Sequence, residues 1–131
     1  MKKIGILNQP ISSVIAAMGH TDTLVIADAG LPIPPETRRI DLALAKGIPG
    51  FLDTLHVVLK EMQVERAIVA EEIVETSPHI YAAIQGLLGD VPVETTPHRI
   101  LKEQTRSARA VVRTGEFTPY ANVILVAGVV F

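Results

Sequence analysis

The sequence contains no cysteine and no tryptophan, and aromatic residues make up only 4% of it. Without thiols there is no disulfide framework, no cysteine-bound metal and no thiol nucleophile. Without indoles, and with so few rings, base-stacking platforms and aromatic walls for a sugar face are both scarce. Any ligand must be gripped mainly by polar groups. Charge of one sign is lacking too, because 12 basic residues face 14 acidic ones for a net charge of −2. Nucleic-acid binders carry a basic patch or stripe, so nucleic acid is not an expected partner. No apolar run approaches the roughly 18 residues that a membrane span needs. The opening MKKIGILNQPISSV reaches Asn8, Gln9, Pro10, Ser12 and Ser13 before the apolar stretch of a secretion signal can form. The expectation is a soluble, unexported, cytoplasmic protein with no membrane insertion.

What is present fits one domain over 1–131, at roughly 100–200 residues per domain. Hydrophobic residues make up 48% of the chain, a high share for so small a body, and this points to subunit interfaces. Apolar runs of strand length alternate with amphipathic stretches. That pattern predicts an α/β fold whose central sheet, mainly parallel or mixed, is flanked by helices.

The polar group around Asn8 to Ser13 starts a first helix over 11–18, which Gly19 ends, leaving His20 in the exit loop. TLVIAD reads as a buried strand over 23–28 with Asp28 at its carboxyl end, and the prolines of GLPIPP cannot continue a ladder. A second strand is expected over 40–45, a helix over 51–62 and a strand over 66–73. Ser77 as cap and Pro78 behind it open a helix that Gly89 closes, with Ile80, Ile84 and Leu87 as its buried stripe. VPVETT is a short strand, after which Thr96 as cap and Pro97 at the first helical position launch HRILKEQTRSAR. Strands over 110–113 and 122–130 finish the chain, joined by TGEFTPYA.

Familiar signatures are missing: there is no GxGxxG, no GK[ST] phosphate loop, no GxSxG and no HExxH. Glu71, Glu72 and Glu75 read as a solvated face rather than a hard-cation site. None of the four histidines pair at the i, i+4 spacing of a helical zinc site. Neither metal nor cofactor is therefore expected. His56 and His79 read as structural or surface residues. His20 follows a helix-ending glycine and precedes the strand that delivers Asp28, so the two are expected to meet at the sheet's carboxyl edge, where α/β proteins bind ligands. A carboxylate beside an imidazole fixes its tautomer and tunes its acid strength; a histidine packed in a turn is the competing reading. His98 and Lys102 share one helix face, suited to anionic or hydroxyl ligands or simply to water. Tyr120 and Asn122, two apart at a strand start, would point the same way with a phenol and an amide, toward a ligand or toward solvent.

GHTDTLVIADAGLPIP, from Gly19 to Pro34, resembles the signature of the D-ribose pyranase family, relatives of the fucose mutarotases. KKIGILN with ISSVIAAMGH, TPHRILKEQT and TGEFTPYANVILVAGVVF resemble that family in the same order and spacing, with no departure at the motif positions. The resemblance covers nearly the whole chain. It implies a cofactor-free isomerase that interconverts the pyranose and furanose forms of ribose, with His20 as the general acid. It also implies that Asp28, His98, Tyr120, Ala121 and Asn122 contact the sugar and that Lys102 lies close by. The assembly it implies is a ring-forming homo-oligomer, a decamer of two stacked pentamers with sites between neighbouring chains. Two further readings stand beside it: a mutarotase acting on fucose or another sugar, and a non-enzymatic sugar-binding accessory module.

Overall fold

Asn8 opens the first helix, α1 (Gln9–Ala17), its side-chain oxygen accepting the Ile11 N–H at 3.0 Å with Pro10 in the first turn. In the computed structural model, which describes residues 1–131, this helix buries Ile11 and Val14. Strand β1 (Thr23–Ala27) follows, buried from Leu24 onward, and Asp28 lies just beyond its carboxyl end. Strand β2 (Arg39–Asp41) is shorter than the expected 40–45, because the Asp41 carboxylate accepts the Ala43 N–H at 3.0 Å and turns the backbone out of the ladder. Helix α2 (Phe51–Leu59) buries Phe51, Leu55 and Val58. It stops short of residue 62, where Glu61 turns to accept the Ile6 N–H at 2.6 Å.

Strand β3 (Val64–Ala70) begins and ends earlier than expected, and Ile73 instead opens the short α3 (Ile73–Thr76). Helix α4 (Pro78–Leu88) buries Ile80, Ile84 and Leu88, with Leu87 only partly covered. Ser77 is not its side-chain cap; the hydroxyl donates to the Pro119 carbonyl at 2.7 Å. Strand β4 (Val93–Thr96) leads to α5 (His98–Gln104), where Pro97, not Thr96, occupies the cap position, and one 3-10 turn (Thr105–Ser107) extends the helix. Strands β5 (Ala110–Arg113) and β6 (Val123–Ala127) complete the set.

The strands form one six-stranded sheet in the order β2-β5-β1-β6-β3-β4. The pairs β1–β5, β2–β5 and β3–β4 are parallel, whereas β6 runs antiparallel to both β1 and β3. The fold is thus mixed α/β, with β6 alone running against the others. Alternate strand residues such as Leu24, Ile26, Val123 and Leu125 pack under α1, α2 and α4 in the larger core. The opposite face, with Val25, Ile124 and Val126, meets Leu31, Leu101 and Ala108 in a smaller one. One sheet edge therefore collects the carboxyl ends of the five parallel strands and the start of β6, and the other collects their beginnings and the end of β6. The apolar C-terminal run is mostly covered by its central place in the sheet, Val123–Ala127 being buried, while Val130 and Phe131 remain 85% and 100% exposed.

Candidate functional site

Because β6 enters beside the exit of β1, Asn122 comes to lie against Asp28. The Asn122 Nδ2–H donates to Asp28 Oδ2 at 2.8 Å, and Asn122 Oδ1 accepts the Asp28 N–H at 2.9 Å. Asp28 Oδ1 also accepts the Gly30 N–H at 2.9 Å, so the carboxylate is fixed from two sides. Asn122 is fully buried, and this corrects the expectation of an amide displayed from a strand. Both Tyr120 and Asn122 precede β6, and Tyr120 has a positive φ of 62°. For a non-glycine residue that conformation costs on the order of 1–3 kcal/mol and persists only where the surroundings hold it. Here Pro119 is tied to Ser77, the Asn122 N–H donates to the Tyr120 carbonyl at 2.8 Å, and the Tyr120 ring meets His98 edge-on, centroids 5.0 Å apart. Ala121 packs its methyl into the larger core and leaves only its backbone to the site.

His98 begins α5, and its N–H is received by both oxygens of Glu72, at 3.1 and 3.0 Å. Glu72, from the turn after β3, thereby satisfies an otherwise orphaned helix donor. Burial holds the imidazole below its ordinary pKa, and Lys102 one turn further on adds to this, against the opposing pull of Glu72 and Asp28. His98 is accordingly neutral at pH 7. Its Nδ1 is buried with no hydrogen-bond partner. A buried bare lone pair is less costly than a buried orphaned N–H, which places the proton on Nε2 as a donor. A cleft of about 500 Å³, lined by Glu71, Glu72, Val74, Glu75, Thr76 and Tyr120, opens alongside. No three His, Asp or Glu side chains converge as a metal-binding group.

Asp28, His98, Lys102, Tyr120 and Asn122 thus share the carboxyl edge, but His20 does not join them. The expectation that His20 meets Asp28 fails within the chain for a directional reason. The exit of α1 feeds the amino end of β1, and β1 crosses the sheet once, so the residues flanking it lie at opposite edges. Five strand residues at about 3.3 Å each separate them by roughly 16 Å. The partner of His20 is Glu65, with Nε2 and Oε2 2.8 Å apart. The turn holding His20 is pinned by the Gly19 N–H on Asp22 Oδ2 at 2.8 Å and by an Asp22–Arg109 ion pair at 3.0 Å. His56 and His79 are exposed on their helices.

Sequence reasoning missed Glu65 and undervalued Glu72. Glu65 lies just outside the strand expected from 66, and its environment depends on an irregular strand pairing that no local pattern announces. Glu72 reads as solvated until β3 and β4 are known to be parallel neighbours. That pairing brings the turn after one strand to the helix after the other, with the Glu71 N–H on the Thr96 carbonyl at 2.8 Å.

Over residues 1–130 the chain matches the model of the RbsD / FucU transport protein family. It is 60% identical to a D-ribose pyranase of Chloroflexus aggregans and 59% identical to one of Laribacter hongkongensis, with 100% of each chain covered in both comparisons. Its fold is similar to the structure of Bacillus subtilis RbsD complexed with D-ribose, with a TM-score of 0.97, 48% identity and both chains covered in full. By matches of this length and identity, the chain belongs to the RbsD / FucU family.

Proposed function

We propose that this chain is an isomerase that interconverts the pyranose and furanose forms of D-ribose by acid–base catalysed ring opening and re-closure, with no cofactor. The observation that carries this reading is the full-length likeness to a relative complexed with D-ribose. The chemistry of the carboxyl edge agrees with it. Asp28, oriented by Asn122, accepts from sugar hydroxyls, the neutral His98 donates through Nε2, and Lys102 and Tyr120 stand beside them. His20 supplies the acid. Its proton goes to the ring oxygen as the C1–O bond breaks, and the anomeric hydroxyl proton leaves to a base as that O–H electron pair becomes the carbonyl. Closure through another hydroxyl gives the other ring size. A positioned acid–base pair contributes about 10²–10⁴-fold, enough for a ring opening that water already permits.

His20 of one copy can act at this edge only on a neighbouring copy. The separation of His20 from Asp28 therefore supports sites between adjacent chains, and on the family resemblance we propose that the chains form a ring oligomer, a decamer of two stacked pentamers. With it we propose a cytoplasmic location and a single functional domain over 1–131. Saturation-transfer NMR on an equilibrium ribose mixture tests the activity. The protein should accelerate exchange between ring forms, and His20→Ala should abolish the acceleration with an unchanged circular dichroism spectrum. Faster exchange of fucose than of ribose under matched conditions would favour a mutarotase, and ribose binding without any exchange would favour a binding module.

A further inference from the structure

The pairing of β3 with β6 runs regularly through Ala67↔Leu125 and Arg66↔Val126, then resumes at Val64↔Ala127. Glu65 is the residue left over. A bulge of this kind leaves one residue unpaired and re-aims its side chain, a device often found beside active sites. The room for it comes from Gly128. A Cβ at that position would stand 3.1 Å from the Glu65 Cβ and 3.4 Å from its backbone nitrogen. So aimed, the carboxylate reaches His20 Nε2 at 2.8 Å.

The other partner is held just as closely. Thr21, next to His20, is β-branched and has a positive φ of 70°, a conformation such residues rarely adopt. Its N–H donates to the Ala127 carbonyl at 2.9 Å, so the His20 turn and the Glu65 bulge are anchored to the same end of β6. The side chains they bring together are 54% and 38% exposed. A contact so open to water contributes little to stability. Two backbone irregularities converging on it call for a role other than folding.

We infer that Glu65 is the positioning residue of His20: its carboxylate accepts from Nε2–H before and after proton transfer, so that the doubly protonated ring gives its Nδ1 proton to the sugar ring oxygen and is left as the Nε2–H tautomer. A carboxylate can only accept, so the ring nitrogen facing it must carry the proton, and the other nitrogen, which makes no hydrogen bond within the chain, is left for chemistry. The inference rests on the reading of His20 as general acid.

The test combines exchange kinetics on ribose with nitrogen-15 NMR of the histidine rings in the full-length wild type, Glu65→Gln, Glu65→Ala and His20→Ala. Both Glu65 variants should lose about tenfold or more in kcat, as when the carboxylate behind an oriented imidazole is removed. Their KM should stay within about twofold, and the neutral His20 ring should leave the single Nε2–H tautomer of the wild type. Wild-type kcat in both Glu65 variants would overturn the assignment, as would a rise in KM alone, which marks a sugar contact. Full exchange by His20→Ala would sink the reading of His20 itself. Loss in His20→Ala with wild-type rates in the Glu65 variants would sink only the inference about Glu65.

Discussion

His98 carries opposed demands: it packs against Tyr120 and it faces a cluster of charges. Burial lowers its pKa below the ordinary 6.5, with Lys102 acting in the same direction. The unfolded chain therefore binds a proton that the folded chain resists. Stability rises with pH wherever the unfolded state holds more protons. The contribution of His98 is thus fully present above the unfolded value near 6.5 and is lost as pH falls through the lower folded value. Urea midpoints taken at pH 7.5 and 5.5 should drop more for the wild type than for His98→Gln, since the carboxylates with resolved shifts titrate below this window. Equal drops would show that His98 titrates as a free imidazole. Asp28, His98, Lys102 and Tyr120 are readable as candidates from residue type and from their place at element ends. The burial of Asn122 is not, because it depends on which strand neighbours β1. The error over His20 has a simpler source: a loop before a strand and a residue after it cannot share an edge unless the chain turns back.

Strands that read as short apolar runs, such as β1 and β5, are legible because burial on both faces demands that composition. Boundaries set by a single side chain's bond to the backbone are not, as the early end of β2 at Asp41 shows. The loop between β5 and β6 is a similar case. The Gly115 N–H donates to the Pro49 carbonyl at 2.9 Å and its carbonyl accepts the Gly47 N–H at 2.6 Å. A Cβ on Gly115 would collide with the Ala45 carbonyl and stand 2.6 Å from the Ile48 carbonyl oxygen. The next residue, Glu116, accepts the Phe51 N–H at 3.1 Å and so satisfies the start of α2, which has no side-chain cap of its own. Displacing this loop loosens a helix as well as a turn. Gly115→Ala should destabilise the protein by about 1–3 kcal/mol, as overpacking does. Gly86 is the control. It lies on the exposed side of α4 with nothing within 4 Å of a Cβ, and Gly86→Ala should stabilise by about 0.5–1 kcal/mol. Urea unfolding of both variants measures the contrast, and similar midpoints would contradict the close-approach argument.

The proposed chemistry is divided between the two sheet edges, and the exposed Val130 and Phe131 lie toward the one that holds His20. The fold itself covers half of the apolar C-terminal run. Val123–Ala127 is covered by β1 and β3, so only the tail beyond Gly128 is left for another copy. That tail leaves β6 at the same edge as His20 and Glu65. Exposed apolar side chains clustered in this way mark association surfaces. If the copies are joined there, the tail and the imidazole approach the neighbour together, and activity becomes a function of protomer concentration by mass action. A chain ending at Gly128 makes a clean test. Gly128 is held by its N–H on the Gln63 carbonyl at 3.0 Å, so removing Val129, Val130 and Phe131 leaves the β6 ladder and the His20–Glu65 contact intact. Light scattering should then find smaller particles, and saturation transfer should find slower ribose exchange that recovers as protein concentration rises, while circular dichroism stays as in the full chain. A truncated monomer that exchanges ribose at the full rate would show that one chain suffices and would remove the shared site, because no arrangement within a single copy brings His20 to Asp28.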